Sequence, residues 1–127
     1  MCNMGWITGV AALAWVFGAT MAHADGDAAK GEKVFTKCKT CHEIATVKNK
    51  VGPTLHGVIG RKAGTVEGFK YSEAMLNSGL TWDAATIAKY VAKPKEFVPG
   101  NKMAFVGLKK EDEIADVVAY IQATCCS

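Results

Sequence analysis

The chain has 127 residues, enough for one domain, with 15 Lys and Arg against 12 Asp and Glu. The formal net charge of +3 is too weak a basic footprint to argue for nucleic acid. Only three prolines occur, with no low-complexity tract, no internal repeat and no run of five like charges, which excludes a repetitive architecture.

The N-terminus differs from the rest. No Lys, Arg, Asp or Glu precedes Asp25, residues 6–17 are nearly all apolar, and Ala22-x-Ala24 follows as a small-residue cleavage site. That is the pattern of a secretory signal whose removal leaves Asp25 as the new N-terminus. The apolar run is short for a membrane span of about 20 residues. Its missing basic residues keep an uncleaved N-terminal anchor as the alternative. The expected division is a signal peptide over 1–24 and one domain over 25–127.

Asp25 and Asp27 are cap candidates for a helix over 28–38, where Gly31, Val34, Phe35 and Cys38 recur on one face. Gly31 inside that helix costs about 1 kcal/mol relative to Ala; its use is the close approach of another helix. The helix runs into Cys38-Lys39-Thr40-Cys41-His42. Two thiols separated by two residues, with His next, form the attachment pattern of a c-type haem. Cys38 and Cys41 sit about one turn apart, so both sulfurs reach one side of a macrocycle, and His42 stands under the iron as an axial ligand. A structural zinc site needs a second Cys/His pair at short spacing, and none follows. A thioredoxin-like pair follows a strand, whereas this motif ends a helical pattern. The domain is small for a self-sufficient core, and a buried haem supplies apolar surface that the side chains lack. Without haem, far-UV circular dichroism should show little helix.

Residues 48–60 read as a loop, with a Gly52-Pro53 turn and with Leu55, Val58 and Ile59 facing inward. His56 reads as a surface or hydrogen-bonded histidine. A second loop with aromatics runs through Arg61, Phe69 and Tyr71. Ser72 caps a short helix ended by Gly79. Thr81 is expected to cap the next helix, with Ile87, Tyr90 and Val91 on its face and Pro94 ending it. Residues 95–108 read as irregular around Pro99-Gly100-Asn101-Lys102-Met103. Glu111, Asp112 and Glu113 then suit the positive end of a final helix, whose face carries Ile114, Val117, Val118 and Ile121. No strand pattern of useful length occurs, so the fold reads as all-α.

The second axial site on the iron has several candidates: His56, Met75, Met103, a lysine or water. Met75 lies in a short helix and reads as core. Met103 lies in a Pro/Gly loop far enough past His42 to pass round the edge of the haem. A thioether is a soft ligand that favours ferrous iron, so His/Met ligation raises the potential.

Taken together, residues 28–124 resemble class I cytochrome c, near the mitochondrial proteins and the bacterial cytochromes c2. The resemblance rests on Gly31 with Val34-Phe35; Cys38-x-x-Cys41-His42; Gly52-Pro53-x-Leu55-His56-Gly57; Gly60-Arg61-Lys62; Gly68-Phe69-x-Tyr71; Thr81-Trp82; Tyr90; Pro94-Lys95; Pro99-Gly100-x-Lys102-Met103-x-Phe105; and Ala119-Tyr120. It implies four or five helices wrapped around one covalently bound haem c, with the first and last helices crossing at Gly31, Phe35 and Tyr120. It implies that Met103 is the distal ligand and that the Pro53 carbonyl accepts the imidazole N–H of His42. Arg61, Tyr71 and Trp82 match the groups around the buried propionates, and Tyr90 the aromatic beside the Met sulfur. Two positions depart from the family: Asn101 stands where Thr is usual, and Met75 where Asn often supports an internal water.

The function so implied is that of a periplasmic single-haem electron carrier and not an enzyme. It would take electrons from a membrane cytochrome bc complex and deliver them to a terminal oxidase or a photosynthetic reaction centre. Lys37, Lys39, Lys50, Lys95, Lys102, Lys109 and Lys110 fall in segments expected around the haem edge, where a basic rim speeds encounter with acidic partners; a merely solvated surface is the competing reading. The alternative function is a peroxidase-like haem enzyme with a labile distal ligand. A thiol–disulfide oxidoreductase using Cys38 and Cys41 is a third class. A monomer is expected, with Cys125-Cys126 either a solvated tail or a route to a dimer in an oxidising compartment.

Overall fold

The computed structural model describes residues 26–127, and the expected signal peptide and its anchor alternative lie outside them. Five helices follow in order: α1 (Ala28–Lys39), α2 (Glu73–Leu76), α3 (Ala84–Ala92), α4 (Pro94–Phe97) and α5 (Glu111–Thr124). Among the described residues the only β pairing is an isolated bridge between Lys62 and Thr81, so the all-α expectation holds.

Helix α1 starts where the sequence places a cap: Asp27 Oδ1 accepts the backbone N–H groups of Ala29 and Lys30 at 2.8 and 3.2 Å. The Asp27 N–H in turn donates to Asp116 Oδ1 of α5 at 2.7 Å, which ties the start of the first helix to the middle of the last. The buried face of α1 is Gly31 and Phe35, one turn apart. A Cβ on Gly31 would collide with the Asp116 backbone and stand 2.8 Å from Tyr120 Cβ. The bare glycine is therefore what lets α5 lie against α1. One turn on, the Phe35 and Tyr120 rings meet with centroids 5.0 Å apart.

Helix α5 has no side-chain cap but carries Glu111, Asp112 and Glu113 in its first turn and buries Val117, Val118 and Ile121. Cys125 continues that face one turn beyond Ile121 and is fully buried, and its sulfur is bonded to that of the exposed Cys126. This corrects the expectation of a solvated tail. It also means that a bridge between two chains would first have to break this bond.

Two other expectations are corrected. The cap of α3 is Asp83, whose Oδ1 accepts Thr86 N–H at 2.7 Å, and Thr81 instead pairs with Lys62. Pro94 ends α3 but also begins α4, occupying its first turn, where the missing N–H costs nothing.

The apolar interior falls into two clusters. The first gathers Phe35, Ile44, Val58, Ile87, Leu108 and the buried face of α5. The second is Ala63, Met75, Tyr90 and Val98. Trp82 borders both. Met75 is thus core, as expected. A domain of this size normally builds one contiguous core; here there are two, with Cys38 packed against the first and Met103 against the second.

Candidate functional site

The last turn of α1 delivers Cys38, and the chain then folds tightly on it: the N–H groups of Cys41 and His42 both donate to Cys38 O, at 3.1 and 2.9 Å. Cys38 and Cys41 are free and only partly buried. Burial pushes the Cys38 thiol up to about 11. A redox thiol needs a stabilised thiolate, so this environment disfavours the thiol–disulfide exchange reading.

His42 is held on two sides. Its Nδ1–H donates to Pro53 O at 2.8 Å, which fixes the tautomer and makes Nε2 the nitrogen with a free lone pair. Gly52 N–H donates to Cys41 O at 2.7 Å, and a Cβ on Gly52 would stand 2.6 Å from Nδ1 and 2.8 Å from Nε2. The imidazole therefore lies flat on bare backbone. Burial lowers its basicity, against the opposing pull of the Pro53 carbonyl, and Lys50 and Arg61 lower it further. A neutral imidazole with one oriented lone pair is what a metal requires.

Across the site stands the second cluster. Met103 is half-buried against it, together with Tyr71, Trp82 and Phe97. Tyr90 packs on Trp82 and Phe97 with ring centroids 5.1 and 6.4 Å apart, and burial pushes its phenol up to about 12. Arg61 spends its guanidinium on His56 O and Thr54 O, at 3.1 and 2.7 Å. Its backbone carbonyl accepts Trp82 N–H at 2.8 Å. The Tyr71 hydroxyl accepts Val66 N–H at 3.1 Å. His56 Nδ1 donates to Ile44 O at 3.2 Å, so it is occupied as a hydrogen-bonded histidine.

The structure thus assembles Cys38, Cys41, His42 and Pro53 as one group. Tyr71, Trp82, Tyr90 and Met103 form a second, and Arg61 joins it through Trp82. The pattern reading missed Gly52 as a packing surface for His42, although the Gly52-Pro53 turn dipeptide was its visible signal. It also missed Thr54, buried, whose hydroxyl donates to Thr46 O at 2.5 Å and accepts His56 N–H at 3.1 Å. Neighbouring loop carbonyls are its partners, and no motif announces them.

Cysteines without partners, a neutral imidazole fixed by its far nitrogen, and two apolar clusters instead of one fit a flat apolar macrocycle held by two thioethers. No group of three or more His, Cys, Asp or Glu able to hold a bare metal ion occurs among the described residues.

The profile of the family described as cytochrome c matches residues 28–124. Cytochrome c2 of Rhodomicrobium vannielii is 54% identical over 112 residues, 87% of this chain and 87% of its own length. Cytochrome c type-1 of Ascaris suum is 49% identical over 102 residues, 80% of this chain and 91% of its own. The solved structure of cytochrome cH from Methylobacterium extorquens superposes with a TM-score of 0.73 at 48% identity, covering 78% of this chain and all of that one. The family match begins at the first residue of α1 and ends at the last of α5. The chain therefore belongs to the cytochrome c family, in its class I form, as a single-haem electron carrier with haem c attached through Cys38 and Cys41.

Proposed function

We propose that His42 Nε2 and Met103 Sδ hold the iron axially. We further propose that the protein works in the periplasm, carrying electrons from a membrane cytochrome bc complex to a terminal oxidase or a photosynthetic reaction centre. The observation that carries this reading is the commitment of His42 Nδ1–H to Pro53 O, which leaves a single, strengthened donor nitrogen. Bound haem c supplies a one-electron ferric/ferrous couple. The chain's own part is to keep that couple fast and selective. Met103 closes the distal position with a soft ligand that favours the ferrous state. The second cluster excludes water from that side. Arg61, Tyr71 and Trp82 would surround the propionates of a bound haem, and Tyr90, in the cluster that Met103 packs against, would lie on the Met103 side. With both positions so filled, a bound haem would pass electrons and leave no open site for a substrate, the behaviour of a carrier and not of an enzyme.

Among the described residues no helix is long and apolar enough to cross a membrane. Lys37, Lys39, Lys50, Lys95, Lys102, Lys109 and Lys110 are all exposed. A basic rim of that kind draws an acidic partner at low salt. A visible spectrum in both redox states, with a redox titration, tests the reading. A low-spin ferric form with a weak red Met–iron band supports it. A high-spin ferric form at neutral pH overturns it in favour of the peroxidase-like alternative. Transfer from a cytochrome bc complex should slow as salt is added, and a rate indifferent to ionic strength removes the docking rim.

A further inference from the structure

Residues 102–107 carry Met103 past the site with almost no regular support. Of the backbone N–H groups in that stretch, only that of Met103 finds a protein partner among the described residues. The partner is the side chain of Asn101, whose Oδ1 accepts it at 2.9 Å. The same carboxamide uses its other end on α4: Nδ2 donates to Pro94 O at 2.7 Å and to Val98 O at 2.9 Å. The Asn101 backbone completes the clasp, its N–H donating to Val98 O at 3.1 Å and its carbonyl accepting Lys95 Nζ at 2.8 Å. Asn101 is buried, with 6% of its surface exposed, so a carboxamide left without these partners would be costly.

We propose that Asn101 is the positioning residue for the distal ligand. Its carboxamide ties the Met103 backbone to the carbonyls of the first residue of α4, Pro94, and of its C-cap, Val98, and so sets where the thioether stands. The inference rests on the reading of Met103 as an axial ligand. The geometry explains why an amide does this. Three bonds of two kinds, two donated and one accepted, are needed at one buried point. An amide supplies two N–H donors and a carbonyl acceptor in one plane, whereas a hydroxyl has a single hydrogen to donate. Asn101 thus has a side chain able to hold both α4 and the segment that carries Met103. Clasp and ligand work on one loop, so loosening the clasp lets Met103 swing away more often. An incoming ligand then finds the iron open for a larger fraction of the time, and its apparent affinity rises in proportion.

Imidazole titrated into the ferric holoprotein, followed by loss of the red band, reads that opening directly. Asn101→Ala should bind imidazole about tenfold more tightly than the natural protein, equivalent to about 1.4 kcal/mol. Asn101→Asp keeps the acceptor but loses both donors and sets a carboxylate against two carbonyls, so it should open the site at least as far. Asn101→Thr restores one donor and one acceptor and should fall between Ala and Asn, in a protein that still folds. Val118→Ala, which removes core volume from α5 and none of the Asn101 bonds, controls for general destabilisation and should leave imidazole affinity unchanged. Unchanged affinity in Asn101→Ala with the red band intact overturns the proposal, as does an equal rise in Val118→Ala. A natural protein with no red band, whose imidazole affinity Met103→Ala leaves unaltered, shows instead that the ligand reading itself has failed.

Discussion

At the crossing of α1 and α5, backbone meets backbone through Gly31, Phe35 stacks on Tyr120, and Asp116 holds the Asp27 N–H. His42, a few residues beyond α1, inherits that rigidity through Pro53 and Gly52. The other side of the site has no such scaffold. Met103 hangs from a four-residue helix and one amide side chain, along an irregular stretch, 102–107, whose other N–H groups find no protein partner among the described residues. If His42 and Met103 hold the iron as proposed, the contrast places the two ligands at opposite extremes of local stability. The imidazole is set by packing that must form for the chain to fold at all, and the thioether by a few bonds that can open while the rest stays closed.

Placing a side chain at Gly31 tests the first half of that contrast most severely. Gly31→Leu drives atoms into the Asp116 backbone, which has no rotamer to escape through. The cost should reach about 3 kcal/mol, the top of the usual overpacking range, measured as a fall in the denaturant midpoint. A change of a few tenths would show that the crossing is looser than the geometry requires. Met103→Ala comes next. It should abolish the red band and lower the potential by on the order of 0.1 V, a fraction of the roughly 0.8 V that axial ligation spans. Because Met103 is only half-buried, the loss of stability should be about 2 kcal/mol, less than at Gly31. A variant that failed to fold would erase the distinction between the two sides.

The same contrast governs what was legible before coordinates. Helices α1 and α5 announce themselves through caps, first-turn acids and apolar spacing, and Gly31 stands out as a glycine on the recurring face of α1. The attachment motif is local in sequence, so Cys38, Cys41 and His42 could be read directly. The distal side is written in tertiary bonds. Asn101 closes on the carbonyls of Pro94 and Val98, which carry no side-chain signal. Thr81 looks like a cap but is drawn into a bridge by Lys62, leaving Asp83 to the helix. Pro94 reads as a stop, and its second role as a start follows only from the chain turning there. Cys125 belongs to the core because α5 runs one turn past its expected face. The division of the interior into two clusters has no counterpart in the apolar pattern of any single element.

Tyr90 sharpens the picture of the distal cluster as a dry place. Burial raises its phenol from 10.0 to about 12. A group whose pKa is raised on folding adds stability that is complete below the unfolded value and lost as pH climbs through the folded one. The contribution of Tyr90 should therefore be whole up to about pH 10 and vanish by about pH 12. Phenylalanine has no proton to lose, so Tyr90→Phe should flatten the decline across that window. Denaturant midpoints at neutral pH and midway between the two values, compared in both proteins, measure it. Parallel declines would mean that the phenol is wetter than its burial implies.

The smallest effect separates scaffold from docking surface at a single lysine. Lys37 lies on α1 with its Nζ 3.8 Å from Glu113 Oε2 of α5, so it spans the crossing, yet its side chain is 55% exposed. An ion pair that long and that open to solvent contributes about 0.2 to 0.5 kcal/mol, too little to matter beside Gly31. Its charge, by contrast, projects into the water through which a partner approaches. Lys37→Gln should thus leave the denaturant midpoint almost unmoved. At low salt it should slow association with an acidic partner by a few-fold, and the difference should fade as screening shortens the reach of the charge to about 8 Å at physiological ionic strength. The opposite outcome, a clear loss of stability with association unchanged, would move Lys37 from the docking rim into the framework that holds the two helices together.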